Sequence, residues 1–241
     1  MKNFSLLILL FTVLSVVFFI LLVFLRIPFP PYPLMSYQDA FDLLTPLVLI
    51  PIYWLLFKRA ASEAPRLAEE IAFVALASLW VAGQGMHLAA NSISNLIETL
   101  ARGEQMDVTG TDIFRLTYFY DELLGHTLWH IGLFGLAALL VYREWRSPAG
   151  LRIQWWITGV SGFIYGLFLF IITVEGQTVW LGLPFAALLS LFGLLRGRKK
   201  LAERPLMAFF LLSCLLALLF YVVWGLRWGG FPGFFEVGLV E

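Results

Sequence analysis

The chain has a single cysteine, Cys214, among 241 residues. One cysteine cannot form a disulfide within the chain, so no disulfide framework holds this fold. Cys214 also lies in an apolar run, where a free thiol behaves as a small hydrophobic side chain. We therefore expect it to contribute to packing rather than to chemistry.

Charge is also scarce. Only 13% of the residues are charged and 61% are hydrophobic, with a formal net charge of zero. A soluble domain would carry roughly a quarter charged residues, so the composition predicts an integral membrane protein. The absence of excess positive charge argues against nucleic acid as a partner. Membrane lipid is the partner that remains.

Seven apolar segments are long enough to cross a bilayer as helices. They are residues 4–25, 41–57, 69–97, 113–142, 153–174, 178–195 and 206–228. The first has no small-residue cleavage site and is expected to be retained. Prolines make residues 28–33 an extended loop, and the most polar stretch, 98–112, is predicted to be a loop as well. We predict an all-α bundle of seven transmembrane helices forming one domain, residues 1–241.

Lysine and arginine predict the orientation of these helices. They concentrate near residue 2 and in segments 58–66, 143–152 and 196–204, which fall on one side of the membrane if there are seven spans. Positive charge favours the cytoplasmic side. We therefore expect the N-terminus inside and the C-terminus outside, in a multi-pass protein of a prokaryotic cytoplasmic membrane.

A polar stripe follows the third span. At about 100° per residue, six polar side chains share an arc of about 100°. They are Gln84, His87, Asn91, Ser94, Asn95 and Glu98. The rest of that helix surface is apolar. The stripe predicts that this face contacts another polar helix rather than lipid.

A second stripe follows the fourth span, in the sequence Tyr120-Asp121-Glu122-Leu123-Leu124-Gly125-His126-Thr127-Leu128-Trp129-His130. Glu122, His126 and His130 are spaced by four residues and lie on one helix face. Tyr118 extends the stripe by one turn. Ionisable groups at membrane depth cost several kcal/mol unless they are partnered, so they mark a functional site by default.

Depth predicts that the two stripes meet. His87 lies about 16 Å along its helix from the outer loop, and Glu122 lies about 15 Å along the next helix. His87, Glu122 and His126 are therefore expected at one level, with His130 nearer the middle of the membrane. Glu175, at the end of the fifth span, either lines the mouth of the site or is a solvated turn residue.

Three imidazoles and a carboxylate are the ligand types of a catalytic zinc site, which leaves one position for water. We predict His87, His126 and His130 as metal ligands, with Glu122 as a fourth ligand or orienting group. Glu98 and Glu122 are the predicted catalytic acids, since a carboxylate can act as general base toward the water. The predicted lining residues are Gln84, Asn91, Tyr118, Asp121 and Glu175.

The pattern Gly83-x3-His87, an acid at Glu98 and the pair His126-x3-His130 resemble the CREST group of seven-helix membrane hydrolases, which includes alkaline ceramidases and adiponectin/progestin receptors. The resemblance implies that the three histidines hold zinc and that Glu98 helps to activate its water, in hydrolysis of a lipid amide. The serine of the family pattern is Gly83 here, its aspartate is Glu98, and its late histidine pair lies in the fourth span.

We therefore predict a zinc-dependent hydrolase that acts on a lipid or other amphiphile from the outer leaflet. Alternatives remain open. Glu122-x3-His126 fits a fragment of a copper monooxygenase site, and glutamates with histidines also build iron centres. A proton relay through Glu122 and the histidines, or a non-enzymatic membrane subunit, would use the same residues.

Overall fold

A computed structural model describes residues 3–21, 25, 27–30, 32–104 and 107–239. Its helices are α1 (Asn3–Phe19), α2 (Tyr37–Arg59), α3 (Leu67–Glu104), α4 (Asp112–Tyr118), α5 (His126–Arg146), α6 (Trp155–Glu175), α7 (Val179–Phe192) and α8 (Pro205–Trp228). A π-helical segment, Phe119–Gly125, joins α4 to α5, and a second one, Gly193–Gly197, follows α7 before a 3-10 turn at Arg198–Glu203. Strands β1 (Pro28–Phe29) and β2 (Tyr32–Ser36) pair antiparallel.

Six of these helical units are long and apolar enough to cross a membrane. They are α2, α3, the continuous unit Asp112–Arg146, α6, the unit Val179–Arg196 and α8. This confirms the prediction of an α-helical, multi-pass integral membrane protein. The other apolar helix, α1, has 17 residues.

Several of the predicted boundaries differ from those of the structure. The first span was expected to reach Leu25, but α1 ends at Phe19, and residues 22–24 lie outside the described part of the chain. The prolines of the first loop permit a short hairpin, because Pro28 stands at the start of an edge strand. The polar stretch 98–112 begins as helix up to Glu104, because Glu98, Leu100 and Ala101 are good helix formers even though the stretch is polar.

Helices α3 and α5 pack with their backbones in contact. A Cβ atom added to Gly83 would lie 2.3 Å from the backbone nitrogen of Trp129, and one added to Gly132 would lie 2.6 Å from the carbonyl oxygen of Leu76. Small residues permit this close approach between transmembrane helices. The consequence is that His87 on α3 and His126 on α5 are held on facing surfaces at short range.

The opposite end of α5 carries a buried polar cluster. Arg143 is fully buried and donates hydrogen bonds to the carbonyl oxygens of Phe57 (3.0 Å) and Glu63 (3.1 Å) and to the carboxylate of Glu69. The charged segment from residue 143 onward was predicted to end the fourth span. It is helical up to Arg146 instead, because the guanidinium finds partners on α2, on α3 and in their connection.

The next residue, Glu144, fastens α8 to the same end of α5. Its carboxylate accepts the backbone N–H groups of Leu206 at 3.0 Å and Met207 at 2.7 Å. These are first-turn N–H groups, which have no partner within their own helix. The bundle is therefore fixed by side-chain-to-backbone contacts at this end, about 25 Å along α5 from His126.

Candidate functional site

The π segment shapes the helix that carries the acids. A π turn inserts an extra residue into an α-helix, and such insertions occur frequently at functional sites. Here it covers Phe119–Gly125 within the fourth span, which was predicted as uniform α-helix. Asp121 is buried in it, with 7% of its side chain exposed. Gly125 faces α3, since an added Cβ would lie 3.0 Å from the backbone nitrogen of His87.

Asp121 is the hydrogen-bond partner of His87. Oδ1 of Asp121 lies 2.5 Å from Nδ1 of His87, so the carboxylate accepts the proton on that ring nitrogen. The contact joins α3 to the π segment. It also fixes the tautomer, leaving Nε2 of His87 as the atom available to bind a ligand.

His126 lies against His87, with ring centroids 4.4 Å apart. Its Nδ1 is 3.2 Å from Oε2 of Glu122, one turn earlier. This distance suits an ion pair, but the angles do not suit a hydrogen bond. Both atoms are consequently buried without a hydrogen-bond partner in the described part of the chain. The structure thus brings together the three groups that the depth argument expected at one level.

His130 has no exposed surface. Its Nδ1 lies 2.6 Å from Oγ1 of Thr178, in the turn between α6 and α7, while its Nε2 is buried with no hydrogen-bond partner among the described residues. The ring is parallel to that of His126, with 6.0 Å between centroids. Thr178 was not among the predicted site residues. Its only sequence signal is its position directly after the turn at residues 175–177.

That turn covers the two histidines of α5. A Cβ atom added to Gly176 would lie 2.8 Å from Cε1 of His130 and 3.4 Å from Cδ2 of His126. The next residue, Gln177, has a φ of 50°, which is uncommon for a residue other than glycine. Such strained positions cluster at functional sites, where the surrounding structure maintains them.

Trp129 forms the wall between the histidines and the apolar core. Its ring centroid lies 5.0 Å from that of His130, 5.7 Å from that of His126 and 5.8 Å from that of His87. Phe19 stacks on it at 5.0 Å. Its indole Nε1 is buried and has no hydrogen-bond partner among the described residues, although a buried indole usually has one.

Gln84 connects the site to α2. Its Nε2 donates to the backbone oxygen of Asp42 at 2.9 Å, and its Oε1 accepts from Nε1 of Trp80 at 2.7 Å. The contact places Asp42 near the histidines, and its carboxylate interacts electrostatically with His87. Asp42 was missed from the sequence, since it lies in the first turns of a span without a polar stripe.

The remaining predicted residues lie at the edges. Asn91 accepts a hydrogen bond from Asn95 at 3.1 Å on the α3 surface. Glu98 is eleven residues beyond His87, about 16 Å along the α3 axis, and is out of contact with it. Tyr118 is exposed, and its hydroxyl lies 3.4 Å from Oε1 of Gln177. Glu175 accepts the backbone N–H of Phe234, at 3.1 Å, from the segment that follows α8.

Among the residues that the structure describes, no three or more His, Cys, Asp or Glu side chains converge in metal-binding geometry. The causes are local. Nδ1 of His87 faces Asp121, Nδ1 of His130 faces Thr178, and parallel rings on α5 do not aim at one centre. The atoms with unmet bonding capacity are Nδ1 of His126, Nε2 of His130 and Oε2 of Glu122. Buried polar atoms normally have a partner, so these three atoms are the ones in the cluster with capacity to bind a ligand.

No family model matches the chain, and no solved structure matches it at a significant level. The chain is 26% identical over 167 residues to the Homo sapiens protein "Ceroid-lipofuscinosis neuronal protein 6". That match covers 56% of the chain and 49% of the relative. It is 25% identical over 204 residues to the Canis lupus familiaris "Ceroid-lipofuscinosis neuronal protein 6 homolog". That match covers 78% of the chain and 62% of the relative. The chain thus spans about half to three-fifths of the length of the curated relatives that it matches, and it resembles them distantly.

Proposed function

We propose that this membrane protein binds a transition-metal ion, zinc in the first instance, through His87, His126 and His130, with Glu122 as the fourth protein ligand or as its base. One observation supports this most directly. In a cluster of three histidine rings, two ring nitrogens and a carboxylate oxygen are buried with no hydrogen-bond partner among the described residues. Burying polar atoms without a hydrogen bond is costly. A cation would satisfy Nε2 of His130 and would take the place of the 3.2 Å ion-pair contact between Nδ1 of His126 and Oε2 of Glu122.

The contact between His87 and Asp121 supports the same proposal. Histidines that bind metals generally donate their other ring N–H to a carboxylate, which orients the ring and raises its basicity. His87 has this arrangement through Nδ1. His130 has a comparable contact between Nδ1 and Thr178, which leaves Nε2 as the ring nitrogen without a hydrogen bond.

The proposed reaction is hydrolysis of a lipid or other amphiphile. A bound zinc ion would supply a water molecule that ionises near neutral pH. Glu122 is 26% exposed at its side chain and is more open than His126 at 9%. It can therefore accept a proton from a water molecule that enters from the bundle surface. We assign the base role to Glu122 and not to Glu98, which lies too far along α3 to reach the same atom.

The experiment is metal analysis of the protein purified in detergent without chelator. We expect equimolar zinc in the wild type, a clear loss in His126→Ala and no loss in the control Asn91→Ala, since Asn91 lies on the α3 surface. Copper or iron in place of zinc would support the redox alternative. A wild type that contains no metal, and takes up none on titration after dialysis, would refute the metal proposal and favour a proton relay or a structural role.

For the membrane topology, we propose seven spans, with α1 as the shortest, the N-terminus inside and the C-terminus outside. Basic residues support it: Lys58 and Arg59 end α2, and Arg143 and Arg146 end α5. Because Cys214 is buried, cysteines introduced in loops can be labelled selectively. A membrane-impermeant maleimide should label Gly110→Cys in intact cells and Ala64→Cys only after permeabilisation. The reverse pattern would invert the topology.

A further inference from the structure

A shallow cavity of about 280 Å³ lies at the loop end of α4. It is lined by Thr109, Phe114, Arg115 and Tyr118. These residues precede the acids of the π segment along the same helical unit. The cavity is therefore separate from the histidine cluster and lies before it along the same helical unit.

Arg115 supplies the cavity with positive charge. Its guanidinium has no ion pair or hydrogen bond to any residue that the structure describes, and the residue is exposed. Asp107, an acid of the preceding loop, accepts the N–H and the hydroxyl of Thr109 at 3.0 and 2.6 Å. Glu122, which could have paired with Arg115, faces His126. A guanidinium offers five N–H donors in a planar fork that matches the oxygens of a phosphate.

The other walls are apolar. Phe114 and the ring of Tyr118 border the cavity, and the neighbouring Ile113 and Leu116 are 58% and 55% exposed. Apolar side chains with this exposure on a transmembrane unit contact lipid. A ligand that satisfies both parts of the cavity therefore carries an anionic group next to an acyl chain.

Position links the cavity to the site. Arg115 and Glu122 are seven residues apart, about 10 Å along the helix. Tyr118 contacts Gln177, and the residue before Gln177, Gly176, packs on His126 and His130. An amphiphile whose headgroup lies at Arg115 would thus extend its linkage to the acyl chain toward the histidine cluster.

We propose that the cavity at Arg115 binds the phosphate group of an amphiphile, so that a phosphate-bearing lipid is the substrate class of the histidine site. The second half of this statement rests on the proposed function, whereas binding at Arg115 does not. The same chemistry would also suit free inorganic phosphate, and the experiment separates these two sources.

The test measures binding of phosphatidylglycerol and of diacylglycerol, which lacks phosphate, by native mass spectrometry of the full chain in detergent. The variants are Arg115→Gln, Arg115→Lys and the control Arg227→Gln. Arg227 is a basic residue at the end of α8 that lies over the ring of Trp228 and outside the cavity. We expect Arg115→Gln to weaken phosphatidylglycerol binding about tenfold or more, since hydrogen bonds to charged groups are among the stronger ones. Arg115→Lys should be intermediate and Arg227→Gln unchanged.

Unchanged phosphatidylglycerol binding in Arg115→Gln, or equal binding of diacylglycerol by the wild type, would overturn the proposal. Binding of inorganic phosphate that is lost in Arg115→Gln, together with phosphatidylglycerol binding that is unchanged in the same variant, would keep the phosphate site but overturn the lipid as its source. The same measurement on His126→Ala separates this inference from the proposed function. Headgroup binding that depends on Arg115 in a chain without metal would support the cavity even if the metal proposal failed.

Discussion

Nδ1 of His87 and Oδ1 of Asp121 approach to 2.5 Å across the interface between α3 and the π segment. The two side chains are 17% and 7% exposed, so water screens their interaction only weakly. Asp121 is adjacent in sequence to Glu122, and Glu122 approaches the other nearby ring, that of His126. The two consecutive acids of the π segment therefore serve two histidines on two different helices.

Asp121→Asn should weaken zinc binding about 10- to 100-fold, the usual effect of removing a carboxylate behind a metal-binding histidine. The amide can still occupy the space, but it does not stabilise the ring by charge. Zinc titration of dialysed protein measures the change. Asp107→Asn is the control, because Asp107 lies in the exposed loop before α4. Equal affinity in Asp121→Asn and the wild type would remove Asp121 from the site.

Thr178→Val should lower the stability of the protein by about 1–3 kcal/mol, the cost of leaving a buried polar atom without its partner. The substitution preserves shape and removes the hydroxyl next to Nδ1 of His130. Thr158→Val is a matched control, since the Thr158 hydroxyl is buried with no hydrogen-bond partner among the described residues. Thermal unfolding in detergent should show a lower midpoint for Thr178→Val and an unchanged or higher one for Thr158→Val. Equal loss in both would contradict the assigned hydrogen bond.

Gly83→Ala should destabilise the protein by about 1–3 kcal/mol or more, because the added methyl group meets α5 backbone atoms that cannot move aside. Two residues along α3, Gly85→Ala should raise stability by up to about 1 kcal/mol through helix propensity. Nothing lies within 4 Å of a Cβ at that position. Thermal unfolding of both variants would measure the contrast. A well-tolerated Gly83→Ala would mean that α3 and α5 pack less closely than described.

Arg143→Lys should destabilise the protein by about 2 kcal/mol or more, because an ammonium cannot reproduce three hydrogen bonds made in different directions by one planar group. The bonded groups lie on α2, on α3 and in the segment between them. Arg59→Lys, on the exposed end of α2, should have little effect. Expression level and unfolding midpoint provide the measurement. A normal midpoint for Arg143→Lys would show that charge alone suffices at this end of the bundle.

Much of the fold follows from the sequence, because transmembrane length and hydropathy constrain helices strongly. Spans near α6 and α8 were predicted within a few residues, since apolar runs there end at charged or turn residues. The end of α3 was predicted too early, because residues 98–104 are polar but favour a helical conformation. A window of hydropathy detects the membrane core and does not detect a helix that continues beyond it.

The site was predicted in part. Uniform helical periodicity placed His87, Glu122 and His126 near one another, and the structure brings their side chains together. Periodicity could not foresee the π insertion, which turns Asp121 toward α3, because one extra residue rotates everything before it relative to everything after it. Thr178 and Gly176 lie in a turn, where neither the helical nor the strand repeat predicts the direction of a side chain. Partners of this kind depend on tertiary packing between α6, α7 and α5.

The contact between Glu175 and the backbone of Phe234 has a practical consequence. A purification tag or fluorescent protein fused to the C-terminus would be attached to a segment that is bound one residue away from Gly176, and therefore close to His126 and His130. The fused tag could displace the turn that covers these two histidines. Protein prepared for metal or lipid measurements should therefore carry its tag at the N-terminus.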